Sequence, residues 1–301
     1  MNTPLRQIEG AGEPSDTASL AAEPAFEATG RARCLIDGYN LGLAHGTGVK
    51  SYARNLADTL ATEGQPADLL FGRPAPRRRS PDSTAASFFS PEAPRRSLPV
   101  RIAGSLRGFA TGGVYEVESA GRVATEHLDE PLPRHARLLN AHLLYDRAAV
   151  FFRATGRRLM LRLPSPPAIA HWTYPLPIGI AGALNVYTLH DLIPLTHPWT
   201  SSYDKVWFEK LVRHLARHAD HLVAVSHSTE REVRQRLEVP AERITTTYQS
   251  AATAFRPGQE LARLRTLFGL APRGYFLFVS AIEPHKNLWR VIQANAALGA
   301  R

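Results

Sequence analysis

The stretch RCLIDGYNLGLAHGTGVKSYARNLADTLATEGQPADLLF (residues 33–71) decides the fold. Its first five residues, RCLID (33–37), form a short apolar run that reads as a buried strand. GYNLGLAHGTG (38–48) follows as a Gly-rich loop. From Gly48 onward Val49, Tyr52, Ala53, Leu56 and Leu60 recur at helical spacing on one face, and Gly64 supplies a stop. ADLLF (67–71) is the next buried strand. A strand, loop, helix and strand in that order open a parallel α/β sheet.

Working outward, the alternation continues. AIAHW (168–172), LNVYTLHD (184–191), HLVAVS (221–226), RITTTY (243–248) and YFLFVS (275–280) read as strands. Residues 135–155, the stretch around Trp207, Leu211 and Leu215 up to Ala219, residues 228–238, residues 258–268 and the stretch after Asn287 read as helices. Thr229 and Glu232 fit a capping box for the third of these. The most apolar zone, 164–196, is broken by six prolines, which makes it strands and turns rather than one helix. The expected fold is α/β, a doubly wound Rossmann-like domain. Residues 1–32 read as a disordered tail, 33–256 as the domain with a mobile Pro/Arg-rich loop at 73–99, and 257–301 as a linker and the start of a second domain.

The chain has 301 residues and a net charge of +9. The tail carries two Arg against five acidic residues, whereas 73–101 holds seven Arg against Asp82 and Glu92. A basic surface of this kind suits a phosphorylated ligand, an anionic membrane or nucleic acid. Nucleic acid is the weakest of the three, because the Arg-rich segment has no interleaved aromatics. Cys34 is the single cysteine, so no disulfide forms within the chain and no Cys-based metal site exists. No H-E-x-x-H, P-loop or G-x-S-x-G pattern occurs. The N-terminal residues show no secretory pattern, and no apolar run is long enough to span a membrane.

In open α/β sheets ligands bind outside the carboxyl ends of the strands. Four places there carry candidate chemistry. Gly46, Thr47 and Gly48 precede a helix N-terminus, where free N–H groups favour an anion; a plain tight turn is the alternative. His190 and Asp191 follow LNVYTL and offer an imidazole and a carboxylate to a hydroxyl or a phosphate; the alternative is a capped strand and turn. His171, Trp172 and Tyr174 offer aromatic and hydrogen-bonding surface to a sugar, against core packing with a polar tip. Glu283, His285 and Lys286 precede the last helix, where Lys286 can meet a phosphate; the alternative is a solvated turn.

These places occur in an order that resembles the bacterial retaining glycosyltransferases of the GT-B fold, the group 1 set that includes mannosyltransferases of polysaccharide assembly. The pieces that carry the resemblance are DGYNLGLAHGTGVKSYARNL (37–56), AHWTYPLP (170–177), NVYTLHDLIPL (185–195), ADHLVAVSHSTERE (219–232) and FLFVSAIEPHKNL (276–288). The resemblance implies an N-terminal acceptor domain facing a C-terminal domain that holds a GDP- or UDP-sugar, with no metal. It implies that Gly46–Gly48 and Lys286 meet the donor diphosphate. His190 and Asp191 would serve catalysis, and His171, Trp172, Tyr174 and Glu283 would contact donor or acceptor sugar. Ser280 and Ala281 depart from the family's usual Gly and Arg. The family's later E-x-x-x-x-x-x-x-E motif belongs to a domain of about 100–200 residues, so the chain is expected to hold the acceptor domain and only the first strand and helix of the donor domain. The expected function is transfer of a hexose, mannose among the candidates, to a saccharide or lipid-linked acceptor in the cytoplasm or at the inner face of its membrane. This chain by itself is expected to be inactive. The other reading is a non-catalytic remnant, or an acceptor-binding half that works with a partner chain.

Overall fold

The computed structural model describes residues 32–43, 48–75, 88, 113–117, 131–200, 204–251, 261–270, 273–280 and 282–299. The tail expected over 1–32 (apart from Ala32), Gly46 and Thr47, and most of the 73–99 loop lie outside these residues.

An eight-stranded sheet forms the centre. Its strands are β1 (Cys34–Asp37), β2 (Asp68–Phe71), β3 (Tyr115–Glu116), β4 (Leu138–Asn140), β6 (Ile169–Trp172), β8 (Leu184–Leu189), β9 (His221–Ala224) and β10 (Ile244–Thr246), and they lie in the order β10-β9-β8-β6-β1-β2-β4-β3. Every pairing is parallel except β3 with β4. A separate parallel pair joins β5 (Leu159–Leu161) to β7 (Ile178–Ile180). The mostly parallel sheet with helices between its strands is a Rossmann-like architecture. DLLF in β2 is buried at all four positions, the continuous burial expected of a strand covered on both faces.

The helices are α1 (Gly48–Thr62), α2 (Leu144–Thr155), α3 (Ile193–Thr196), α4 (Lys205–His218), α5 (His227–Leu237), α6 (Leu261–Phe268) and α7 (Leu288–Gly299). Ala53 and Ala57 bury one face of α1 beside Ile36, Leu69 and Phe71. Helix α4 buries Phe208, Leu211, Val212 and Leu215 in the larger core cluster, with Leu189 and Leu222 of β8 and β9. Asp204 caps α4 by accepting from the Trp207 N–H at 3.0 Å. Gly64, at φ 74°, supplies the left-handed backbone that ends the turn after α1.

Three expectations are corrected. Leu138 and Leu139, read as part of a helix over 135–155, lie in the buried strand β4, and the helix begins only at Leu144. A three-residue apolar run carries no period that separates strand from helix. The cap of α5 is Ser226, whose hydroxyl accepts from the Thr229 N–H at 3.1 Å, not the expected Thr229 box. Residues 275–280 form no strand: they pair with nothing in either sheet, and Phe276, Leu277 and Val279 are exposed.

Two buried polar groups tie the sheet together. Asp68 accepts from Arg137 at 3.0 and 2.6 Å and from Arg33 at 3.1 Å, which fixes the start of β2. Asn185 in β8 accepts from the Ile180 N–H at 2.8 Å and the Trp172 indole at 3.2 Å, and donates to the carbonyls of Ile180 and Ala183 at 3.0 and 2.9 Å. Its side chain therefore joins the turn between β7 and β8 to β6. Asn185→Ala orphans several buried donors and acceptors at once, and we expect it to cost about 3 kcal/mol. Urea unfolding of the two proteins checks this; equal midpoints would contradict the assignment.

Candidate functional site

The carboxyl ends of β1, β6 and β8 lie side by side, with Ile36 opposite His171 and His171 opposite Val186. Each strand delivers a polar group there. β1 ends in Asp37, which is fully buried. Asp37 accepts from the Thr173 N–H and hydroxyl, just beyond β6, and from the Tyr39 N–H at 3.1 Å. Burial nevertheless wins over these hydrogen bonds and pushes its carboxyl up to about 6.

His171 lies in β6, and its Nε2 is 2.8 Å from the hydroxyl of Thr188 in β8. The Tyr52 hydroxyl, from α1, sits 3.0 Å from the same Thr188 oxygen and 3.5 Å from His171 Nε2. Tyr52, Thr188 and His171 thus form a short hydroxyl–hydroxyl–imidazole chain that runs in either direction. Burial, then the neighbouring His190, hold His171 down to about 4, so it is neutral near pH 7.

His190 follows β8, as the strand reading places it. Its Nε2 lies 2.9 Å from the Thr173 carbonyl, which can only accept, so Nε2 carries the proton. Nδ1 is then the lone-pair nitrogen, and it accepts from the Gln249 amide at 3.0 Å. The Thr229 hydroxyl donates to the His190 carbonyl at 3.1 Å, which attaches α5 to the site. The Tyr52 ring meets the His190 ring edge to face at 5.2 Å. Burial lowers the His190 pKa. The imidazole is thus neutral, fixed in tautomer, and closed at Nδ1 by an exposed glutamine side chain.

The other candidates are placed as follows. Gly48 opens α1, and an added Cβ there would meet nothing within 4 Å, so its backbone is open to approach. Asp191 is exposed, and its carboxylate accepts from the Ile193 N–H at 2.9 Å, which turns the chain into α3. Trp172 is fully buried and stacked on Tyr187, so it is a core residue that presents no surface to a sugar. Tyr174 is half-buried and stacks on Tyr39 at 6.2 Å. Glu283 pairs with His285 at 3.3 Å, and Lys286 ends the same short turn. No hydrogen bond or ion pair among the described residues joins that turn to the His171–His190 cluster. Among the described residues no group of three or more His, Cys, Asp or Glu side chains is placed to hold a metal ion, and no helix is long and apolar enough to cross a membrane. Asp37, Tyr52, Thr173, Thr188 and Gln249 escape sequence reading, because only the folded sheet brings them to the two histidines.

The arrangement is that of a Rossmann-like domain with a neutral hydrogen-bonding cluster at the carboxyl edge of its sheet, suited to orienting hydroxyl groups. Residues 114–252 match Glycosyltransferase Family 4. That segment takes in β3 to β10 and with them His171, His190 and Gln249. The O-antigen chain mannosyltransferase B of Escherichia coli is 30% identical over 116 residues, which are 38% of this chain and 30% of that protein. The chain thus spans about a third of the length of the relative it matches. Both comparisons support glycosyl transfer as the class of activity.

The raised pKa of Asp37 has a definite sign. Between about 3.8 and about 6 the folded protein holds a proton that the unfolded chain releases. The neutral carboxyl therefore stabilises the fold fully below that window, and its contribution is lost as the pH rises through about 6. His171 acts oppositely, but it cancels when wild type and Asp37→Asn are compared. We expect the wild type to gain stability relative to Asp37→Asn on going from the top of the window to the bottom, by up to about 3 kcal/mol. Parallel pH dependences in urea titrations would contradict this.

Proposed function

We propose that the protein is the acceptor-side domain of a retaining GT-B glycosyltransferase that moves a hexose, mannose first among candidates, from a GDP- or UDP-sugar to a saccharide or lipid-linked acceptor. The observation that carries this reading is the Tyr52–Thr188–His171 and His190 cluster at the carboxyl edge of the sheet, most of it within the segment that matches a glycosyltransferase family. The name of the Escherichia coli relative supports mannose as the first sugar to test.

In this reading the bond from the anomeric carbon to the diphosphate breaks, a bond to the acceptor oxygen forms, and the acceptor's proton leaves with the diphosphate or to solvent. The cluster is neutral, so it orients hydroxyls and supplies little charge to the leaving group. That charge would be met by the Gly46–Gly48 stretch, of which Gly48 opens α1, and by Lys286 once donor and cluster are assembled. His190 offers its Nδ1 lone pair to a sugar hydroxyl when Gln249 gives way. Asp191 supports the turn behind it. A peripheral contact of the basic chain with anionic lipid belongs to the same reading.

A second reading is an acceptor-binding half that works with a partner chain. It draws on the absence of a strand over 275–280 and on the exposed Phe276, Val279 and Ile282, which leave the donor side unassembled among the described residues. Incubation with labelled GDP- and UDP-hexoses and a mannose-terminated lipid-linked acceptor separates the two. Transfer that falls about 100-fold in His190→Ala supports the enzyme and overturns the expectation that this chain by itself is inactive. Binding of a mannose oligosaccharide without transfer, weakened about tenfold by Tyr52→Phe, supports the half. Neither transfer nor saccharide binding would sink both.

A further inference from the structure

A cavity lies between α2 and α4. It has a volume of about 600 Å³ and is lined by Phe152, Arg153 and Gly156 at the end of α2 and by one face of α4 with its cap, Asp204. That size accommodates a small organic molecule. None of its lining residues hydrogen-bonds to Tyr52, His171, Thr188 or His190.

The lining is divided by chemistry. Phe152, Val206 and Trp207 supply an apolar wall, with the Trp207 ring edge to face on Phe152 at 6.3 Å. Around it stand cations from both helices. Lys210, Arg213 and Arg217 follow one another at helical spacing along α4, and Arg153 reaches from α2 to lie 5.3 Å over the Trp207 ring. Arg213 is taken by Glu209 at 2.8 Å, and Asp204 is occupied in capping α4. Lys210 and Arg217 have no such partner among the described residues. The Trp207 indole N–H also finds no acceptor there.

Arg217 and His218 in the last turn of α4 complement the helix dipole, which is reason enough for their presence. The same argument covers Arg153 in the last turn of α2, but it does not account for Lys210, which lies in the middle of α4. The local field is positive: burial, then His218, Arg158 and Arg217, hold His214 down to about 4. The cavity thus presents several donors, an apolar wall and few free acceptors. A phosphoryl group is the complement, since it offers only acceptor oxygens and up to two negative charges.

We propose that the α2–α4 cavity binds a phosphate ester with an apolar body, its phosphoryl group held by Lys210 and Arg217 and its body lying against Trp207 and Phe152. The ester is either a soluble metabolite or the headgroup region of a phospholipid. The proposal is independent of the transfer reading, because it uses no residue of the His171–His190 cluster.

The test uses the whole chain and two probes. Phenyl phosphate is titrated calorimetrically, with phenol as its uncharged control. Flotation is measured on phosphatidylcholine vesicles with and without phosphatidic acid. The Lys210→Ala/Arg217→Ala double variant is compared in each, its melting temperature confirming an intact fold because both side chains are exposed. The expected result is binding of at least one phosphate-bearing probe, no comparable binding of its phosphate-free control, and a loss of about tenfold or more in the double variant. Binding of phenyl phosphate without flotation assigns a soluble ester, and flotation that needs phosphatidic acid assigns the lipid. The proposal is overturned if neither phosphate-bearing probe binds, if the phosphate-free controls bind as well, or if the double variant matches the wild type.

Discussion

The site depends on one contact, the acceptance by buried Asp37 of the Thr173 N–H and hydroxyl. Asp37 ends β1, and Thr173 begins the turn out of β6. The contact sets where the Thr173 carbonyl points, and that carbonyl accepts the hydrogen bond from the His190 Nε2–H. Three strands are thereby coupled through groups that belong to none of their ladders. A carboxylate this deep is costly. Its compensation is that one acceptor orients a turn from which an imidazole takes both its tautomer and its angle.

The chemistry of the cluster follows from what surrounds it. Burial disfavours the charged forms of both histidines and of the Tyr52 hydroxyl, so these three groups stand as neutral donors and acceptors beside Asp37. Such a surface discriminates among hydroxyl patterns better than it attracts ions. The cations around the cavity between α2 and α4 stand on other elements, so positive charge and the neutral histidines occupy separate parts of the domain.

The order of strands and helices was legible because buried parallel strands are short apolar runs, and RCLID, ADLLF and LNVYTL are of that kind. His190 was legible for the same reason, since it follows such a run directly. Strand β4 was not, because LLN alone carries no period, and the two-residue β3 and the outlying β5 and β7 were missed altogether. YFLFVS shows the converse: it has a strand's composition, yet a strand exists only where backbone groups find a partner. Tyr52 and Thr188 are separated by 136 residues and meet only because α1 packs over the sheet. Trp172 has the residue type of a sugar platform, and only its burial shows it to be core.

Gln249 sits just beyond the last strand of the sheet, where the chain leaves for residues 261–299. Its amide is nonetheless what closes His190 Nδ1. The lone pair of the histidine is thus met by a side chain from the segment that leads the chain out of the sheet, not by one from a strand or helix of the sheet itself.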